Sequence, residues 1–292
     1  MNTAGSQSSS IPPSQRHATL VGIDSDGCVF DSLPVKLHHH VVPLVIRWWG
    51  LDPVAALVHR KADQINLFSA SRGGNRFPNL LLLFEALAAE PEVRLRQVAL
   101  PDLAALRRFC ESGAALGNTA LAAAAAREPD PELRRVLAWS RALSHDIDTR
   151  MDPVPPFVWA RRSLERMAQS SDLVVISQTP EATIRREWRR HGIDHLVTGI
   201  AGQEQGSKAR QLAQANGGSY PAGRMLMIGD APGDHRAAVE SGALFFPILP
   251  GDEETSWRQF HDEVYPRFLD GAFGSEEAEV WLRPFKARLG IP

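Results

Sequence analysis

Two aspartates, Asp24 and Asp26, stand two positions apart directly after the apolar run Leu20-Val21-Gly22-Ile23, and Gly27 lets the chain turn sharply behind them. Close carboxylates repel, so they persist together where something positive sits between them. A hard divalent cation suits the position, because Mg²⁺ takes oxygen ligands and prefers one or two carboxylates plus a substrate phosphate. Similar polar residues follow other short apolar runs: Ser177 and Gln178 after Leu173-Val174-Val175-Ile176, Lys208 beyond His195-Leu196-Val197-Thr198-Gly199-Ile200, and Asp230 with Asp234 after Met225-Leu226-Met227-Ile228. Together they describe a phosphoryl-transfer site. An Asp carboxylate can attack phosphorus and form an aspartyl-phosphate. A second carboxyl group can protonate the leaving alcohol and then activate water. A hydroxyl and an ammonium bind the remaining phosphoryl oxygens, and Mg²⁺ held by acids from two strands orients the phosphate.

The elements that must position these residues alternate. Four apolar runs of strand length, and a fifth at Ala243-Leu244-Phe245-Phe246-Pro247-Ile248, are separated by helical patterns, which predicts βαβ units and a parallel sheet covered on both faces. Ligands of open α/β sheets bind just beyond the carboxyl ends of the strands, where all of these residues fall. Strand one stands apart from the others. After it, helical patterns run through roughly 31–49, 53–69, 78–89, 101–110, 117–126, 131–149 and 155–170, and the sheet resumes near residue 172. A parallel crossover needs only a dozen or more residues. The expected organisation is therefore a polar, disordered tail at 1–18, an α/β core from 19–32 plus 154–292, and an all-α domain inserted at 33–153. The aromatics Trp257, Phe260, Tyr265, Phe268, Trp281 and Phe285 of the C-terminal extension are expected to pack on the core.

Composition excludes several classes. A hydrophobic share of 43% supports a substantial core, while a formal net charge of −2 offers no global attraction to nucleic acid or an anionic membrane. Of 32 basic residues 28 are arginine and 4 lysine, so a single lysine such as Lys208 carries more information than a single arginine. Cys28 and Cys110 are too few for a disulfide framework or a cysteine-based zinc site. No apolar run reaches the ~18–20 residues of a membrane span, and the amino-terminal residues lack the apolar stretch of a signal peptide, so the cytoplasm is the expected compartment. A monomer and a homodimer both remain open.

Asp24-Ser25-Asp26-Gly27-Cys28-Val29-Phe30-Asp31-Ser32 resembles the first motif of the haloacid dehalogenase-like superfamily, commonly DxDGTxxDS. Ile176-Ser177 resembles its second motif, Lys208 in Gly206-Ser207-Lys208 its third, and Gly229-Asp230-Ala231-Pro232-Gly233-Asp234 its fourth, GDxxxD. The resemblance covers roughly residues 19–32 and 154–250, and implies a Rossmann-like core with a C1-type helical cap, in the phosphoglycolate phosphatase-like or β-phosphoglucomutase-like branch. It also implies roles. Asp24 would be the nucleophile and a metal ligand, and Asp26 the general acid/base with its main-chain carbonyl on Mg²⁺. Ser177, Gln178 and Lys208 would hold the phosphoryl group, and Asp230 and Asp234 would complete the metal site. The acid at position 26 argues against dehalogenases and phosphonate-cleaving members. Cys28 stands where Thr is common and is expected to be a small buried packing residue.

Substrate choice is expected to lie in the inserted domain. Its loop Ser71-Arg72-Gly73-Gly74-Asn75-Arg76-Phe77 combines two glycines with two guanidiniums and an amide, so Arg72, Asn75 and Arg76 are the candidate specificity residues. His38-His39-His40 cannot readily chelate one ion, since consecutive helical residues point about 100° apart, and one or two of them are expected to face the cleft or solvent. Trp48-Trp49 reads as packing. The sequence thus predicts a Mg²⁺-dependent phosphatase acting on a small phosphorylated metabolite. A phosphomutase of β-phosphoglucomutase type would share every core residue. A non-catalytic regulatory protein that binds a phosphorylated ligand is the rival from another class, and it would have no need of both Asp24 and Asp26.

Overall fold

A computed structural model describes residues 15–292; the tail expected at 1–18 lies mostly outside the described residues. The chain divides into two compact units, residues 15–31 with Val154–Pro292, and Ser32–Pro153.

The first unit is built on five parallel strands, β1 (Leu20–Ile23), β2 (Asp172–Ile176), β3 (Gly199–Ala201), β4 (Met225–Gly229) and β5 (Leu244–Pro247), in the order β3-β2-β1-β4-β5. Every strand residue is buried, which explains why the strands read as unbroken apolar runs instead of alternating ones. β1 is central and pairs with β2 (Ile23 beside Val175) and β4 (Ile23 beside Ile228), which each run one residue past its end. The third strand is shorter than the sequence suggested. Asp194–Leu196 forms a 3₁₀ turn, and pairing with β2 begins only at Gly199.

The helices of this unit are α9 (Val158–Met167), α10 (Glu181–Arg190), α11 (Lys208–Asn216), α12 (Pro232–Ser241), α13 (Glu253–Gln259), α14 (Tyr265–Leu269) and α15 (Ser275–Leu289). Leu212, Ala238 and Phe285 of α11, α12 and α15 pack against Leu20, Val174, Met225 and Phe245 on one face of the sheet. Phe246, one residue on and so directed to the other face, lies against Phe260 with ring centroids 5.2 Å apart. A π-helical turn at Phe260–Val264 joins α13 to α14. Trp257, Phe260, Tyr265, Phe268 and Phe285 are buried as expected, and Trp281 is half-buried beside Phe246.

The second unit is all helical: α1 (Ser32–Lys36), a π-helical turn (Leu37–Val41), α2 (Val42–Trp49), α3 (Ala55–Asn66), α4 (Arg76–Ala88), α5 (Pro91–Leu95), α6 (Ala104–Glu111), α7 (Asn118–Arg127) and α8 (Pro131–Arg150). Asp130 caps α8 by accepting from Leu133 N at 2.7 Å. Trp49 fills the middle, with its ring edge-on to Phe84 and Trp139. The π-helical turn separates the three histidines. His38 bonds Asp63 of α3 at 2.6 Å, His40 is buried against Asp146 of α8 at 2.7 Å, and His39 is exposed. One exposed and one half-exposed histidine match the expectation for this run, and the third, His40, is buried because a carboxylate on a neighbouring helix satisfies its ring.

Candidate active site

Because β1, β2 and β4 end within one residue of each other, Asp24, Ser177 and Asp230 all emerge at the same carboxyl edge of the sheet. Lys208 begins α11, whose N-cap Ser207 accepts from Arg210 N. Its ammonium reaches Asp24 Oδ2 at 2.7 Å and Asp234 Oδ1 at 2.6 Å, clamping the ends of β1 and α12 together. The other oxygens of these acids are held by main chain, Asp24 Oδ1 by Ser25 N at 2.8 Å and Asp234 Oδ2 by Ala231 N at 3.0 Å. Gly229 permits the last arrangement, since a Cβ there would overlap the Asp234 carboxyl.

Asp24, Asp230 and Asp234 are all buried, and one carboxylate oxygen from each lies within 4.8 Å of the others. Burial, then the charge of Asp234, pushes the Asp24 carboxyl up to about 7, against the pull of Lys208. Burial likewise raises Asp234, with Asp230 adding to it. Lys208 is held above its ordinary value although burial opposes its charge, because both carboxylates favour the ammonium. With all three carboxylates ionised, the one ammonium leaves two negative charges for a further cation to compensate. An all-oxygen, buried donor set with that deficit fits a hard dication such as Mg²⁺.

Asp26 stands outside this cluster. It is half-buried, and its Oδ2 accepts from Thr179 Oγ1 at 2.8 Å. The main chain turns away immediately, with Gly27 at φ 79° donating to Phe30 O at 2.8 Å. The two acids of the first motif therefore occupy different environments, one enclosed with Lys208 and one accessible and hydrogen-bonded to a hydroxyl. Ser177 is buried, and its Oγ accepts from Thr179 N at 3.2 Å. Gln178 is exposed and donates through Nε2 to Gly206 O at 2.9 Å, which ties the loop after β2 to the one before α11. Cys28 is fully buried, and burial together with the three neighbouring carboxylates holds its thiol well above the usual range. That agrees with a packing residue and not a reactive thiol.

Three further residues support the site through contacts that the sequence does not reveal. Gln211, fully buried one turn after Lys208, donates through Nε2 to the carbonyls of Ser177 (2.9 Å), Gly202 (2.7 Å) and Gly206 (3.0 Å). A glutamine in a polar helix reads as surface, and only the tertiary fold reveals this one. Trp188 and Trp257 fix the first-motif loop from behind, donating to Ser25 Oγ at 3.0 Å and Cys28 O at 2.7 Å. Trp257 was legible as core, but its partner was not, and Trp188 gave no signal.

Within the helical unit the three candidate specificity residues have structural partners. Arg72 is buried and donates to Leu67 O at 3.1 Å. Asn75 caps α4 through Phe77 N and donates to Leu116 O at 2.8 Å. Arg76 lies along α8, its Nη1 donating to Ser140 O (3.1 Å), Ser140 Oγ (3.3 Å) and Ser144 Oγ (2.9 Å). Burial lowers the Arg76 guanidinium from its ordinary value, with Asp148 opposing that shift.

No protein-family model and no curated protein matches the sequence. The fold does have solved counterparts. A protein from Bacteroides fragilis described as a haloacid dehalogenase-like hydrolase is 15% identical, with 90% of this chain and 93% of that one covered at a TM-score of 0.52. A protein from Lactobacillus delbrueckii described as a phosphoglycolate phosphatase is 14% identical, with 94% and 99% covered at a TM-score of 0.49. The first unit thus has the Rossmann-like α/β fold of the haloacid dehalogenase-like hydrolases. At these identities the likeness extends to the fold alone, and chemistry must be argued from the residues. Among the described residues no helix is long and apolar enough to cross a membrane.

Proposed function

We propose that the protein is a Mg²⁺-dependent phosphatase that hydrolyses a small phosphate monoester through an aspartyl-phosphate on Asp24. The observation that carries this reading is the difference in environment between Asp24 and Asp26. Asp24 is buried, oriented by Ser25 N and paired with Lys208, as a nucleophile must be held. Asp26 is accessible and separately hydrogen-bonded, as a proton shuttle requires.

Asp24 attacks phosphorus while the bond to the leaving oxygen breaks, and Asp26 gives that oxygen its proton. Asp26, now a carboxylate, takes a proton from water as the water oxygen attacks the aspartyl-phosphate. The bond between phosphorus and Asp24 breaks, phosphate leaves, and both acids return to their starting forms. Lys208 and Ser177 bind phosphoryl oxygens as charge develops on them. Asp24, Asp230 and Asp234, with the Asp26 main-chain carbonyl, would hold the Mg²⁺, which when bound offsets the charge of the phosphate and orients it.

Phosphate release across a panel of metabolites, with and without EDTA, tests the reading. Steady Mg²⁺-dependent release supports it; activity indifferent to EDTA, or surviving Asp24→Asn, removes it. Interconversion of sugar phosphates that depends on a bisphosphate primer would make the protein a mutase. Substrate choice is assigned to the helical unit. Arg76→Ala is expected to raise KM for the best substrate about tenfold, as loss of one charge-assisted contact does. An unchanged KM in a folded variant would take Arg76 out of recognition.

A further inference from the structure

The acid/base carboxyl must hold one direction in two opposite tasks, giving a proton in the first half-reaction and taking one in the second. We infer that Thr179 is the positioning residue that fixes Asp26 for both, an inference that rests on the phosphatase reading. Its hydroxyl lies 2.8 Å from Asp26 Oδ2. The hydroxyl donates to Oδ2 both in the carboxylate and in the carboxylic acid, where Oδ2 is the carbonyl oxygen, and so leaves Oδ1 to give and take the proton.

Thr179 is itself held on every side. Its N–H donates to Ser177 Oγ at 3.2 Å, and its carbonyl accepts from Gln203 N at 3.1 Å. Pro180 follows at φ −54° and opens α10, so the backbone beyond the threonine is fixed by the ring and the helix. β-Branching restricts χ1 of the side chain. The loop carrying it is bolted to 202–206 by Gln178 and Gln211. Such enclosure exceeds what a turn residue needs, and it delivers the hydroxyl to a half-buried acid from an element distant in sequence.

Phenyl phosphate and 4-nitrophenyl phosphate, compared by kcat/KM with Mg²⁺, separate this role from a structural one. They differ little in shape, but the phenolate leaves poorly without a proton and the nitrophenolate leaves well. Thr179→Val is expected to lower kcat/KM for phenyl phosphate about tenfold and for 4-nitrophenyl phosphate less than about twofold, with Thr179→Ser restoring both. In an Asp26→Asn background Thr179→Val should add no further loss, because the two residues act as one unit. Equal losses on both esters, or a full additional loss in the Asp26→Asn background, would overturn the inference and leave the phosphatase reading standing. If the wild-type protein releases phosphate from neither ester and from no member of the metabolite panel, the reading falls and this role falls with it.

Discussion

Asp24→Asn is expected to abolish phosphate release while making the metal-free protein more stable at pH 8. On the proposed mechanism the substitution removes the nucleophile and with it the covalent route, a cost on the order of 10⁴-fold or more in turnover. The stability gain follows from the environment of the carboxyl. Burial and Asp234 hold it up to about 7, against an ordinary value of 3.8. A folded-state value raised in this way favours the protonated acid. Its contribution is fully present below pH ~4 and is lost as pH rises through 7. At ~1.4 kcal/mol per unit, that interval carries up to about 4 kcal/mol. Asparagine mimics the neutral acid at every pH, so the gap between variant and wild type should open between pH 4 and 8. Mg²⁺ at pH 8 should narrow it, by binding the wild-type carboxylates and stabilising only that protein. Thermal unfolding at pH 5 and pH 8, with and without Mg²⁺, measures all of this. A variant less stable than wild type at pH 8 without metal would mean that the Lys208 ion pair outweighs the cost of burying Asp24 ionised.

Lys208→Met should be damaging in both respects. The substitution keeps the apolar stem and removes the ammonium that lies 2.7 Å from Asp24 and 2.6 Å from Asp234. Two buried carboxylates lose their shared counter-charge, and breaking a buried pair from one side costs about 3–5 kcal/mol. Turnover should fall by on the order of 10³-fold, because the same group is assigned to the phosphoryl oxygens. The destabilisation should be larger at pH 8 than at pH 5, where the freed acids can protonate and relieve the repulsion. Urea unfolding at the two pH values, beside phosphate release with Mg²⁺, provides the check. Near wild-type turnover in Lys208→Met would detach the lysine from the chemistry.

The sheet and the cluster at its carboxyl ends were legible because each rests on local patterns. Strands buried on both faces are continuous apolar runs, and the residues following Ile23, Ile176 and Ile228 had to meet if those strands were parallel neighbours. What was not legible depended on contacts across the chain. Lys208 shares its ammonium between Asp24 and Asp234, a geometry that spacing cannot express. Thr179 carries no signal of its own in the sequence, and only the fold sets its hydroxyl against Asp26. Gln211 gave no signal at all, since its burial comes from three carbonyls on two loops. In the helical unit it was again the partners that lay out of reach: Arg72 and Asn75 bond carbonyls of their own unit, and His40 pairs with Asp146 of a distant helix. The long helices there were evident from periodicity, whereas the short α5 at Pro91–Leu95 offered too few turns to register one.

Trapping the intermediate tests the account most directly. Wild-type protein mixed with Mg²⁺ and its best substrate, quenched in acid within one turnover and digested, is expected to yield a phosphorylated peptide containing Asp24. The modification should be labile to hydroxylamine, as an acyl phosphate is, and should accumulate in Asp26→Asn, where the second step lacks its base. A phosphoryl group found on another residue, or phosphate release at full rate with no phosphorylated peptide in either protein, would contradict it.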